Sequence, residues 1–358
     1  PVPSSAASDV YKRQWIAYLT KKNKVEVIYG FGKLKQGGGV SVTNDGQTKE
    51  YTAKHIIIAT GARSRVLPNL PQDGKNIIGY REAMTLKEMP KSMVIVGSGA
   101  IGAEFAYFYN TMGVDVTLVE YQKTIVPVED EDISKQLQRS FKKSGIKVMT
   151  NSSVEKVNVL KSSCEVVIKT KKGDEVINAD IVLSAVGITP NIENIGLEEV
   201  GIKTDKGRLV VDEFYNTNVK GYYAIGDLLP TQALAHVASA EGIVCVEKIA
   251  GENPEAIDYG NIPGCTYCSP EISSVGMTEA QAKEAGFDVK VGKFPFTASG
   301  KASASGHKDG FVKVVFDAKY GEWLGCHMIG YNVTEMIAEA VVACLLYTSP
   351  SPRDIGPS

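Results

Sequence analysis

Cysteine, histidine, a charge excess of either sign and long apolar runs are all scarce in this sequence. No uninterrupted apolar stretch approaches the roughly 18 residues of a spanning helix, so no transmembrane segment is expected. Six Cys in 358 residues are too few for a disulfide-stapled secreted scaffold and fit a reducing, cytoplasmic compartment. Lys+Arg 39 against Asp+Glu 41 leave a net charge of -2, which argues against an electrostatic nucleic-acid binder and offers a membrane surface no polybasic handle. The 4 His (His55, His236, His307, His327) show no ligand spacing, and no metal site is expected. What is present is ordinary for a soluble globular protein with a large core: 43% apolar and 22% charged residues. At about 150 residues per domain the length suggests two or three domains. The 35 scattered glycines suit an α/β protein with many tight turns.

The two ends show no periodicity, cap or turn logic. Asp9–Gln14 (DVYKRQ) and Cys344–Ser349 (CLLYTS) resemble translations of complementary strands of one sequencing-library adaptor. Residues 1–14 and 344–358 are therefore expected to be non-native tails, flanking a natural segment of about Trp15 to Ala343 that is cut at both ends.

Between the tails, Lys24–Phe31 and Val40–Thr43 read as strands around Gly37-Gly38-Gly39. The β-branched run His55–Thr60 (HIIIAT) stops at Gly61, as in a strand buried on both faces. Tyr80–Met89 reads as a helix before Pro90. Met93–Val96 is a short apolar strand running into GSGAIG; Ala100–Met112 follow as a helix, Gly113 as its left-handed C-cap, and Val114–Val119 as a second strand ending at Glu120. Asp130 or Asp132 is expected to cap a helix with Ile133, Leu137 and Phe141 on one face. Ile146–Met149 is a third strand, a β-meander occupies Val154–Leu160, Cys164–Thr170 and Glu175–Ile177, and Ile181–Val186 is a buried strand closed by Gly187. Tyr222–Ile225 leads to Gly226-Asp227 and then to an Ala-rich helix over Gln232–Ala250. Strands with polar turns follow from Tyr259 and end in a helix over Thr334–Ala343. The runs IIIATGA and VLSAVGI form a weak internal repeat; if the chain holds two dinucleotide-type units, the first lacks its opening glycine loop.

The strand–GSGAIG–helix unit carries the clearest chemistry. Gly97 permits the tight turn, Gly99 lets the backbone approach a pyrophosphate, and Gly102 allows close helix–strand packing. The helix N-terminus, through Ala100 and Ile101, offers free N–H groups and its dipole. Glu120 follows at the expected interval of about 20 residues, where a carboxylate accepts ribose hydroxyls and repels a 2′-phosphate; NAD is therefore favoured over NADP. Asp227 at a strand end can take a sugar hydroxyl or simply make a turn, and Glu104 early in its helix can simply complement the dipole. Cys265 and Cys268 form a CxxC without a second Cys pair, a His cluster or a helix start, and read as structural.

The order HIIIATGA, VIVGSGAIGAEFA, Glu120, AVGITPN, YAIGD, ALAH, YGNIPGCTYCSPEISSVG and KFPFTASGKA resembles the dihydrolipoamide dehydrogenases, flavin-dependent members of the pyridine nucleotide-disulfide oxidoreductases. The resemblance implies an α/β fold with two Rossmann-like dinucleotide-binding domains, the FAD domain incomplete, and a truncated α+β dimerisation domain. It divides the chain into 15–80 and 201–258 for FAD, 81–200 for NAD and 259–343 for dimerisation. It implies that Thr60, Gly61, Ala62, Gly226, Asp227, Leu234, Ala235 and His236 contact FAD. Gly97, Gly99, Ala100, Ile101, Gly102, Glu120 and Gly187 would hold NAD, and Glu104 would be the catalytic-site acid near the flavin. The implied partners are the dihydrolipoyl domain of a 2-oxoacid dehydrogenase or glycine cleavage complex and a second subunit.

The family's CxxxxC redox pair, its first glycine loop and its C-terminal His-Glu pair have no counterpart here, so the chain alone is expected to be inactive. Its incomplete FAD domain is expected to make it poorly soluble and to hold flavin weakly or not at all. Two alternatives remain open: a transhydrogenase or mercuric reductase type of the same superfamily, and a non-catalytic NAD-binding module.

Overall fold

The computed structural model describes residues 14–346; of the adaptor-like tails 1–14 and 344–358, residues 1–13 and 347–358 lie outside the described residues. The chain divides into two compact units, one built from the chain up to Arg63 with Ile188–Tyr259, the other from Ser64–Gly187 with the chain from Gly260 onward.

In the first unit, Phe31–Lys35, Gly39–Asn44 and Gln47–Thr52 form an antiparallel meander. Residues 25–30, expected as strand, carry no strand assignment, and Val25, Val27, Ile28 and Tyr29 are exposed. Their β-branched and aromatic composition records a preference for a pleated, half-buried surface, but a strand also needs a neighbouring backbone. The buried run of the HIIIAT segment is Ile56–Ile58, paired in parallel with Tyr222–Ala224. Both strands run toward the same edge, where Thr60-Gly61 and Gly226-Asp227 follow them. The helix Ala235–Ile249 follows its N-cap Leu234, later than expected, and its buried Val244 and Cys245 join a core that includes Ile58, Leu209, Tyr222 and Leu228.

The second unit carries a five-stranded parallel sheet whose spatial order is Ile77–Ile78, Ile181–Ser184, Ser92–Val96, Asp115–Val119 and Lys147–Met149. Met93, Val94 and Ile95 are almost wholly buried, because helices and a second layer cover both faces. Two helices follow from the sequence pattern. Ala100–Thr111 opens directly from the glycine turn, and Glu131–Lys143 buries Ile133, Leu137 and Phe141 behind an Asp130 cap, whose carboxylate accepts the Asp132 N–H at 3.0 Å. The expected helix over Tyr80–Met89 shrinks to Tyr80–Ala83, where the Thr85 hydroxyl turns back to the Arg81 carbonyl instead of extending the turn. The β-meander runs over Ser153–Val159, Cys164–Thr170 and Gly173–Ala179.

A five-stranded antiparallel sheet completes this unit, in the order Gly264–Thr266, Glu271–Gly276, Trp323–Gly330, Phe311–Asp317, Val289–Pro295. The helix against it, Val333–Leu346, runs past Ala343, since Cys344 and the two leucines after it continue a helical pattern. Lys313, on the strand Phe311–Asp317 of this sheet, is buried and reaches Asp130 at 2.8 and 3.0 Å, Asp132 at 3.1 Å and Glu279 at 2.8 Å. Burial alone would lower this ammonium's pKa; hydrogen bonds to the three carboxylates reverse that and hold it charged. Among the described residues no helix is long and apolar enough to cross a membrane.

Candidate functional site

The strand Ser92–Val96 ends in Gly97, whose φ of 94° and whose approach to the neighbouring strand both require glycine: a Cβ there would lie 2.4 Å from the Ala185 carbonyl oxygen. Gly102 is required by contact alone, since its Cβ would stand 1.9 Å from the Gly97 oxygen. Gly99 differs from both. Its φ is an ordinary -61°, and a Cβ there would meet nothing within 4 Å. The chain itself has no need of glycine at that position, so the missing side chain keeps the mouth of the 12-residue helix open to something outside the fold. The first intrahelical acceptance, from the Ala103 N–H to the Gly99 carbonyl, leaves the N–H groups of Ala100, Ile101 and Gly102 facing that mouth. A diphosphate fits this cradle.

Glu120 stands at the end of the adjacent strand and turns into the loop. Its Oε2 accepts the Ser98 N–H at 2.8 Å and the Ser98 hydroxyl at 2.6 Å, and its Oε1 accepts the Gln122 N–H at 2.8 Å. Ser98 is fully buried and Glu120 is nearly so. The Ser98 carbonyl in turn accepts the N–H of Val126, a buried residue held at φ 41°. Sequence spacing identifies Glu120 but not this partnership, which depends on the loop curling back over the strand end. Gly187 closes the neighbouring strand at φ 104°, and its carbonyl accepts the Arg65 N–H.

In the first unit, Thr60 and Gly61 are pinned by Asn191, which no motif spacing marks as a partner of that turn. Asn191 accepts the Thr60 hydroxyl on its carbonyl at 2.6 Å, returns its amide to the Thr60 carbonyl at 3.0 Å, and donates its backbone N–H to the Gly61 carbonyl at 2.9 Å. Gly61 has φ 67° and open space where a Cβ would stand, and Ala62 follows half-buried. Glu241, fully buried in the Ala-rich helix, carries no sequence signal of its role either. It accepts the Gly226 N–H at 2.5 Å, the Thr231 hydroxyl at 3.0 Å and the Tyr259 hydroxyl at 2.8 Å, fixing the turn that carries Asp227. Arg208 steadies the same turn from the Asp227 and Leu229 carbonyls. Leu234 caps the helix and Ala235 and His236 stand exposed in its first turn. An open strand edge with a fixed acidic turn and an exposed first helical turn fits the sugar-alcohol and ring portions of a flavin nucleotide.

Glu104 lies one turn into the glycine-loop helix, half-buried, with its Oε1 accepting the Tyr267 N–H at 2.9 Å. Burial raises its carboxyl above the usual range and the Tyr267 amide offsets part of that. The neighbouring thiols are not poised for redox work. Cys268 is buried, donates to the Pro270 carbonyl and has its pKa pushed far up by desolvation; Cys265 is raised too. All six cysteines are free, and among the described residues no cluster of His, Cys, Asp and Glu could hold a metal ion.

A parallel sheet with a glycine cradle, an acid at the next strand end and a separate antiparallel sheet define the class. The chain belongs to the pyridine nucleotide-disulphide oxidoreductase family, whose sequence model matches residues 3–242, with the family's dimerisation domain over residues 262–351. It is an α/β protein with FAD-binding, NAD-binding and dimerisation domains. Among its relatives it is similar to the dihydrolipoyl dehydrogenase of Rhizobium etli, 49% identical over 93% of this chain and 73% of that protein, and to that of Bacillus subtilis, 42% identical over 94% and 73%. Its fold is similar to LpdA of Mycobacterium tuberculosis, with a TM-score of 0.86 at 28% identity, covering 96% of this chain and 77% of that one.

Proposed function

We propose that this chain carries the pyridine-nucleotide arm and the flavin-side turns of a dihydrolipoyl dehydrogenase, an NAD-dependent oxidoreductase that takes electrons from protein-bound dihydrolipoamide. The observation that carries this reading is the glycine cradle with its open Gly99 mouth beside Glu120, in a chain 49% identical to a dihydrolipoyl dehydrogenase over most of its length. FAD, when bound, would supply the redox chemistry that links a dithiol–disulfide couple to the nicotinamide.

The chain's own residues bind and orient. Gly97, Gly99 and Gly102 shape the cradle, the N–H groups of Ala100, Ile101 and Gly102 meet the diphosphate, Glu120 accepts a ribose hydroxyl, and Gly187 borders the site. Thr60, Gly61 and Ala62 end one strand on the flavin side. Asp227, fixed through Gly226 by Glu241, offers its carboxylate to the ribityl hydroxyls, with Leu234, Ala235 and His236 beside the ring. Glu104 is the acid we place nearest the flavin, held in orientation by the Tyr267 amide. We assign 81–200 to NAD, 15–80 and 201–258 to FAD, and 259–343 to subunit pairing. A dihydrolipoyl domain in the cytoplasm is the partner this reading requires.

Calorimetric titration of the chain with NADH tests the reading directly, and saturable one-to-one binding abolished by Gly99→Val is the expected result. No binding would sink it. None of the six cysteines has CxxxxC spacing, so lipoamide-dependent NADH formation by the chain alone is expected to stay at background.

A further inference from the structure

The second residue of GSGAIG has no part in cradling a diphosphate, because Ser98 is fully buried and points away from the helix mouth toward Glu120. A carboxylate has about four acceptor positions. Three are filled here before any ligand arrives: two on Oε2 by the Ser98 N–H and hydroxyl, one on Oε1 by the Gln122 N–H. We propose that Ser98 is a specificity-positioning residue, whose hydroxyl locks Glu120 so that it presents a single remaining acceptor position, on Oε1, to the adenosine ribose, and so sets the preference for NAD over its 2′-phosphorylated counterpart.

This inference rests on the pyridine-nucleotide reading above. It adds a distinct physical claim: the selectivity lies in how firmly the acid is held, as well as in its presence. With the hydroxyl in place, Oε2 is committed to the loop, and the carboxylate cannot turn aside without giving up a short charge-assisted hydrogen bond inside the protein. A ribose hydroxyl meets an acceptor already aimed, at no cost of ordering it. A 2′-phosphate meets a negative charge that cannot retreat. Without the hydroxyl the acid keeps amide donors only and can swing. The neutral sugar then loses its oriented acceptor, and the phosphate loses part of its repulsion.

The test is Ser98→Ala in the full chain, titrated calorimetrically with NADH and with NADPH. The Kd for NADH is expected to rise roughly tenfold, while that for NADPH stays within about twofold or falls, so the preference shrinks by about an order of magnitude. In a Glu120→Ala background the same substitution should leave the preference unchanged, because the group it positions is gone. Ser98→Gly introduces no new atoms and reads the same loss should the alanine chain fold poorly; Ser98→Thr, which restores the hydroxyl, should recover the preference. A purely structural serine would lower the melting temperature or weaken both nucleotides alike. An unchanged NADPH-to-NADH ratio in Ser98→Ala, or an equal change in the Glu120→Ala background, overturns the proposal. Failure of the unaltered chain to bind NADH would overturn the nucleotide reading and this inference with it.

Discussion

Replacing Lys313 by methionine removes the cation at the centre of three carboxylates while keeping most of the side-chain volume. The cost falls unevenly. The Asp132 and Glu279 side chains are 38% and 31% exposed and keep second partners in Lys293, at 3.6 Å, and Lys283, at 2.5 Å, so water and those lysines make up part of the loss. The Asp130 side chain is 2% exposed; without Lys313 it retains the backbone N–H groups of Asp132 at 3.0 Å and Glu279 at 3.3 Å. Stranding a buried charge by deleting its partner costs about 3–5 kcal/mol, and the two amides left on Asp130 put the expectation near the lower end. About 3 kcal/mol corresponds to a fall of roughly 6–12 °C in the melting temperature of a unit of this size.

The sign with pH is fixed by Asp132 and Glu279. Burial raises the Asp132 carboxyl, but Lys313 and Lys293 more than reverse this and hold it low; Lys283 and Lys313 hold Glu279 low. The stabilisation they draw from Lys313 is present above the unfolded carboxylate pKa and is lost as pH falls through the lower folded values. The difference between the variant and the parent should therefore shrink below about pH 4. Thermal and urea unfolding followed by circular dichroism would measure both effects, and Lys313→Met combined with Asp130→Asn should recover stability, since asparagine still caps the helix. A loss below about 1 kcal/mol at neutral pH, or one that stays constant into acid, would refute this account of the buried cluster.

Gly99→Ala and Gly102→Ala should separate ligand contact from packing. The first adds a methyl where nothing of the chain stands, so NADH affinity should drop by about tenfold or more with a cost in stability below about 1 kcal/mol. The second places a Cβ 1.9 Å from a carbonyl oxygen and should cost about 3 kcal/mol as well as the nucleotide, readable by calorimetry and melting side by side. His327 is buried with its Nδ1 unpartnered, opposite Ser274 and Lys313 on the neighbouring strands, and burial holds its pKa below the ordinary value. The unfolded chain therefore binds a proton that the native one refuses, and stability should fall as pH drops below about 6.5, at up to about 1.4 kcal/mol per pH unit. His327→Gln should flatten that slope in melting curves taken between pH 7 and the carboxylate range, and an unaltered slope would show that another group titrates.

The nucleotide cradle was legible because its requirements are local. Gly97, Gly102 and the helix from Ala100 answer to contacts within a few residues and one neighbouring strand, and Ile133, Leu137 and Phe141 declare their buried face by spacing alone. The partners that make the site rigid were not legible. Asn191 reaches Thr60 across 131 residues, Glu241 reaches Gly226 across 15, and Lys313 meets Asp130 across 183. A buried charged residue looks like any solvated one until the fold shows what surrounds it, and Lys313 on an alternating strand would ordinarily be assigned to the solvent face. Residues 25–30 failed in the opposite sense, since strand composition was present without a strand beside it.

Glu120, legible from spacing, and Glu241, hidden until the fold shows its partners, do the same work in different places. Glu120 accepts the Ser98 N–H and Glu241 accepts the Gly226 N–H, so in each unit a buried carboxylate holds the turn that follows a parallel strand. A turn meant to receive a phosphate or a sugar must keep its polar groups directed outward, and an empty turn of that kind would otherwise collapse onto its own amides. An acid placed behind it satisfies the inward-facing N–H and leaves the outward ones free. The ordering is thus complete before the ligand arrives, which lowers the cost of binding without adding a contact. On this argument Glu241→Gln, which keeps the size but weakens the charge-assisted bond to Gly226, should loosen the Asp227 turn and raise its amide exchange rates while the parallel strands on either side stay protected.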